Sequence, residues 1–215
     1  ILWLGSSDFI RGTRAFFRCS VWPMEPMEPM EPGEYEIRTV RPAEWRKIRE
    51  VRLTALQDPV AVVAFARSYA EEAALPDEEW QRRASGAGAQ QFAVIRPRTG
   101  DGGGNRGGDG DGEEERAGED WVGMAVVIAE RPDYLSVNAV YLRPEVRGTG
   151  LAERLFATVA EWTWERADRL HLWVHQDNPR AEALYRRVGF VRTGRSMAHA
   201  RTPMRSEYEM VLTRG

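Results

Sequence analysis

Arg147-Gly148-Thr149-Gly150-Leu151-Ala152 decides the reading of this chain, because the loop it spells joins an extended apolar stretch, residues 135–142, to a segment of helical periodicity. In that segment Leu151, Leu155, Phe156 and Val159 recur at the spacing of one buried helix face. Strand, glycine loop and helix start together form an anion-binding arrangement. The first amides of a helix lack intrahelical partners and lie at the positive end of its dipole, and a chain narrowed to glycine lets phosphate oxygens reach the backbone.

Spacing separates the phosphate loops this stretch could be. A P-loop needs Lys and then Ser or Thr after its second glycine, where Leu151-Ala152 stands. The dinucleotide fingerprint needs a third glycine, or a close substitute, at the place of Glu153, whose carboxylate would meet pyrophosphate. Both nucleotide readings are disfavoured. A second motif follows, Asn178-Pro179-Arg180-Ala181, then Tyr185 and Gly189-Phe190. Asn178 suits an N-cap, Pro179 the first helical position and Gly189 a left-handed terminator. Nearly two turns separate Asn178 from Tyr185, so both can face one side.

Arg147, Gly150 and Ala152 fit the pattern Arg or Gln, two residues, Gly, one residue, Gly or Ala. With the turn before them, residues 141–146, and the order Asn178, Ala181, Tyr185, Gly189, Phe190, the chain resembles the GCN5-related N-acetyltransferases (GNAT). The resemblance covers residues 35–212, most densely 135–190. It implies an α+β fold, a central mixed, mostly antiparallel twisted sheet flanked by helices. It also implies an N-acetyltransferase that uses acetyl-CoA as cosubstrate, without a metal, by direct attack in a ternary complex. On this resemblance the cofactor-binding residues are Val140, Tyr141, Leu142, Arg147, Gly148, Thr149, Gly150, Leu151, Ala152 and Asn178. The amides from Gly148 to Ala152 bind pyrophosphate, with Arg147 in the loop and Leu151 at the helix entry. Val140 and Leu142 pair with the pantetheine arm as a short added strand, neighbouring parallel strands splaying apart to admit it. Asn178 holds the arm, and an amide near Val140 or Tyr141 stabilises the oxyanion. Tyr185 is the catalytic residue, bonding to or protonating the thiolate.

The general base departs from the family pattern. Many members carry a Glu about eleven residues before the motif Arg, and this chain has Ser136 there. Ser136 and Asn138 share a strand face and are candidates to hold a proton-accepting water; Glu130, Asp133 and His199 are further candidates. The acceptor is read as a primary amine of a small molecule, with a protein N-terminal or lysine amine as the alternative. Residues 57–80 and 197–206 are the variable segments that would choose it. A reading of another class, a non-catalytic acyl-CoA-binding regulatory domain, is opposed by Tyr185 beside an intact loop and favoured by the missing Glu.

Composition bounds these readings. The chain has 215 residues, 42% of them hydrophobic, enough for a full core. No apolar run reaches the roughly 18 residues of a membrane span, so no membrane partner is expected. The single cysteine, Cys19, excludes an internal disulfide and fits a cytoplasmic protein. Lys47 is the sole lysine among 30 basic residues. Net charge is −3, yet residues 101–120 carry eight acids against two arginines, a local −6 that leaves the rest at +3. A mildly basic body suits a polyanionic cosubstrate; without a clustered basic stripe, no nucleic-acid partner is expected.

Residues 1–34, with the tandem Met24-Glu25-Pro26, Met27-Glu28-Pro29 and Met30-Glu31-Pro32, are expected to be a disordered or extraneous extension, the native start falling at one of those methionines. Arg11, Arg14 and Arg18 raise a transit peptide, which Asp8 and a poor amphipathic pattern oppose. Residues 35–215 are expected to form the catalytic domain, with a flexible Gly- and Asp-rich insertion at 100–118. An EF-hand fails there by spacing, since Gly107 and Gly118 take positions that need carboxylates. His171 and His175 lie on one strand, about 13 Å apart, too far for one metal.

The coarse order is a strand at 35–39, a helix at 42–57, a helical region through Phe65 and Tyr69, and a helix start at Pro76-Asp77. Strands at 91–95, 121–129 and 135–142 follow, then the loop helix, a strand at 170–174 and the Asn178 helix. A closing pair at 190–195 and 206–212 leaves exposed strands through which a homodimer is expected.

Overall fold

Two antiparallel hairpin systems meet at one parallel seam in this protein, whose computed structural model describes residues 35–97, 119–131 and 133–215. The expected extension 1–34 and insertion 100–118 lie outside the described residues. The strands are β1 (Glu36–Thr39), β2 (Ala89–Pro97), β3 (Glu119–Arg131), β4 (Tyr134–Leu142), β5 (Arg169–His175), β6 (Val191–Ala198) and β7 (Ser206–Thr213). The helices are α1 (Trp45–Gln57), α2 (Ala61–Ala64), α3 (Tyr69–Ala73), α4 (Asp77–Ala84), α5 (Leu151–Trp164) and α6 (Pro179–Val188). Strand order is β1-β2-β3-β4-β5-β7-β6, antiparallel at every join except β4–β5. The α+β fold with a mixed, mostly antiparallel sheet is therefore observed.

Alternation along the strands builds a layer on each face. Phe92 and Val94 of β2 join the core under α5, where Leu151, Leu155, Phe156 and Val159 are almost wholly buried. Their neighbours Ala93 and Ile95 turn to the opposite face, against Ile48, Val51 and Ala55 of α1. Because α5 packs its stripe so closely, Leu155→Ala is expected to cost roughly 2–5 kcal/mol through lost burial and a residual cavity. Urea unfolding monitored by circular dichroism would read this as a lower midpoint.

One expected element divides. The helical region through Phe65 and Tyr69 is two short helices, because Phe65 is extended (φ −137°, ψ 136°) and turns its ring into the α1 core. Ser68 then restarts the helix, accepting from the Glu71 amide while the Glu71 carboxylate accepts from the Ser68 amide. That capping box, Ser-x-x-Glu, stands in the sequence and was passed over.

Candidate active site

The glycine loop ends where α5 begins. Gly148 and Gly150 hold φ of 82° and 85°, the left-handed region that other residues enter only at a cost of about 1 kcal/mol. A Cβ added at either would meet nothing within 4 Å, so the space beside the loop is open. The amides of Gly148, Thr149 and Gly150 have no acceptor among the described residues, and the first amides of α5 add to them. Unpaired donors, a helix start and open space fit a pyrophosphate. Two expected loop residues turn away from that space: Leu151 is in the α5 core, and the Thr149 hydroxyl donates to the Val146 carbonyl at 2.8 Å.

Arg147 faces inward as well. Its guanidinium donates to the Leu142 carbonyl at 2.8 Å and to the carboxylate of Asp58, just past α1. The arginine therefore shapes the loop and ties it to the α1–α2 turn. Burial pushes the Asp58 carboxyl up, but bonds from the Val60 amide and Arg147 outweigh it and hold the group below its usual range. A depressed folded pKa means that this pair stabilises the protein above the unfolded value near 4, and that the contribution is lost as pH falls through the folded one. Asp58→Ala is expected to cost about 1–3 kcal/mol, since Arg147 loses its buried acceptor. It should also weaken acetyl-CoA binding by roughly tenfold through the loosened loop, which calorimetry on the folded variant would measure.

The seam supplies the next part of the site. β4 and β5 pair only through Leu135↔Leu170 and Ser136↔His171, and beyond them they part. On the other side of β4 the register with β3 jumps from Val126↔Asn138 to Met124↔Tyr141, so Ala139 and Val140 drop out of the ladder. Ala139 has φ 51°, the only non-glycine residue with positive φ among those described. Nothing in the residue types announces this bulge, and bulges commonly re-aim backbone beside active sites.

Helix α6 closes the site. Asn178 caps it, its Oδ1 accepting from the Ala181 amide at 3.2 Å. Tyr185 packs its ring edge-on to Phe156 at 5.5 Å, and burial pushes its hydroxyl up to about 12. Arg180, missed by the sequence reading, stands in the first turn of α6 with no ion-pair partner among the described residues. A cation is disfavoured at that end of a helix dipole, and Arg180 lies close enough to Asp58 to help hold its carboxyl down.

A cavity of about 1420 Å³ unites these parts. Arg147, Gly148, Gly150 and Ala152 of the loop and helix start line it, together with Val140, Tyr141, Leu142, Asn178 and Tyr185. Phe65, Arg67 and Trp80, and Trp173, Met197 and Glu207, belong to the same lining. Of the candidate bases, Glu130 and Asn138 face this cavity; the Asp133 side chain is 89% exposed outside it and His199 is buried against Thr202. His171 and His175 occur on β5 as expected, and no metal-binding cluster occurs among the described residues.

Similar folds are known. The chain matches the solved structures of a GNAT-family acetyltransferase from Streptococcus pneumoniae (17% identity, TM-score 0.59, 85% of this chain and 100% of that one) and of Arabidopsis thaliana NAA60 with a bisubstrate analogue (15%, 0.56, 84% and 98%). It also matches spermidine N-acetyltransferase from Vibrio cholerae in complex with CoA and spermine (16%, 0.54, 84% and 96%). No curated protein sequence matches the chain. Residues 109–190, which hold the seam, the glycine loop and α6, match the acetyltransferase (GNAT) family, and the chain thus carries a GNAT acetyltransferase domain.

Proposed function

We propose that this acetyltransferase moves the acetyl group of acetyl-CoA to a primary amine of a small molecule, by direct attack within a ternary complex. The cavity carries the reading, because its lining joins the anion-binding loop to Phe65 and Trp80 of one variable segment and Met197 of the other. The amides of Gly148 and Gly150, with the start of α5, hold the pyrophosphate, and Arg180 adds the counter-charge. The pantetheine arm lies along Val140 to Leu142 in the opened seam, and Asn178 turns its free amide NH₂ toward it. An amide at the bulge, near Val140 or Tyr141, faces the developing oxyanion. Tyr185 donates to the departing sulfur. A cytoplasmic homodimer, with edge strand β6 at its interface, belongs to the same reading.

Calorimetry with acetyl-CoA, followed by thiol release across small amines and peptides, tests it. Micromolar binding and thiol release with small amines are expected. Release with peptides alone would make the acceptor a protein amine; binding without release across the panel would favour the regulatory reading, and absent binding would overturn the assignment.

A further inference from the structure

A primary amine reaches neutral solution as an ammonium, and one proton must leave before nitrogen can attack. The cavity wall at the paired end of the seam carries a hydrogen-bonded chain suited to that task. Ser136, 1% exposed, donates its hydroxyl to Glu130 Oε1 at 2.6 Å. Asn138 donates its Nδ2 to the Ser136 hydroxyl at 2.8 Å and to the Ser136 carbonyl at 3.2 Å. A carbonyl can only accept, so the amide orientation is fixed and Asn138 Oδ1 is left without a partner among the described residues. Glu130 Oε2 is likewise unpartnered there. Two acceptor oxygens thus stand on one wall, matched to a group that has only donors.

Strand geometry put the carboxylate there. Register between β3 and β4 runs Ile128↔Ser136 and Ala129↔Leu135, then jumps to Arg131↔Tyr134, so Glu130 sits at an irregularity in β3. We infer that Glu130 is the general base for the acceptor amine, that Ser136 positions its carboxylate, and that Asn138 Oδ1 holds the ammonium. This inference rests on the acetyltransferase reading and deepens it. The ammonium gives one proton to the Glu130 carboxylate, and the freed nitrogen pair forms the C–N bond. The C–S bond breaks with its electron pair on sulfur. The amide nitrogen loses a second proton, which the thiolate gains, and Glu130, an exposed residue, returns the first to water.

The charged and titratable groups around Glu130 are Arg131 on its own strand and Tyr134 on β4. Behind Tyr134, whose hydroxyl donates to Glu209 of β7, lie His171 of β5, whose charging burial disfavours, and Arg195 of β6, paired with Glu209; the cavity lining also holds Glu79, Arg82 and Arg83 of α4, paired among themselves, and Glu207 of β7, which burial pushes up. Of these groups, Glu130 is the carboxylate that the Ser136 hydroxyl bonds.

The test compares unsubstituted protein, Glu130→Gln and Ser136→Ala in thiol release from acetyl-CoA with the best amine of the panel, from pH 6 to 10, with acetyl-CoA calorimetry on each sample. Glu130→Gln should lose about a hundredfold in kcat near pH 7, with acetyl-CoA affinity unchanged. Activity should recover as pH approaches the acceptor's own pKa and the amine arrives neutral. Ser136→Ala should show about a tenfold loss with the same pH trend, because the carboxylate remains but wanders. Unchanged turnover in Glu130→Gln, a loss equal at every pH, or a loss explained by weaker acetyl-CoA binding would each overturn the role while leaving the acetyltransferase assignment intact. Absent acetyl-CoA binding by the unsubstituted protein would bring down both.

Discussion

Gly150→Glu is expected to abolish measurable acetyl-CoA binding while the protein still folds. Two costs separate cleanly. The backbone at Gly150 has φ 85°, so any side chain there strains the loop by about 1 kcal/mol. A carboxylate beside the pyrophosphate adds repulsion: like charges 4 Å apart at an effective dielectric of 20 differ by about 4 kcal/mol, close to a thousandfold in affinity. Gly150→Ala isolates the first cost, because its Cβ would touch nothing within 4 Å. The alanine variant should fold and lose less than about tenfold in affinity. Calorimetry on both, with circular dichroism as the folding control, would measure the difference; equal affinities for the glutamate variant and the unsubstituted protein would remove the loop from the cosubstrate site.

Tyr185→Phe should leave acetyl-CoA affinity within about threefold and lower kcat by roughly ten- to a hundredfold. The phenol, pushed up to about 12, lies far above a thiol near 8.5, so complete proton transfer to the thiolate would run uphill by about 5 kcal/mol. Donation of a hydrogen bond without transfer is what remains, worth less than full acid catalysis. For the same reason the unsubstituted enzyme should show no inflection in kcat from Tyr185 between pH 6 and 9. Steady-state kinetics with an identified amine checks both statements, and normal turnover by the phenylalanine variant would end the leaving-group role.

Much of the framework was legible because it is local. The stripe Leu151, Leu155, Phe156, Val159 announced α5, and Asn178, Pro179 and Gly189 marked both ends of α6, where the helix runs Pro179–Val188. What escaped depends on contacts distant in sequence or on backbone irregularity. Asp58 and Arg147 are 89 residues apart, and neither names the other. Ser136 was noted with Asn138, but its bond to Glu130 follows only from the register of two strands and an irregularity between them. The bulge at Ala139 is unreadable in principle from residue type, since alanine is a poor choice for φ 51°. The restart of the chain at Ser68 was readable, because a capping box is a sequence signature.

The parted seam gives the sheet four edges where an open sheet normally has two, and the extra pair lies in its middle, between β4 and β5. Unsatisfied strand edges invite foreign chains, and proteins ordinarily cover them. In the proposed complex the cover is the cosubstrate, whose pantetheine amides would complete the ladder from outside the polypeptide. Folding stability would then be linked by mass action to that ligand, by about 2.7 kcal/mol when it stands at a hundred times its Kd. Without a bound pantetheine arm the central edges would stand bare, so the lifetime of the fold would depend on a ligand as well as on its sequence.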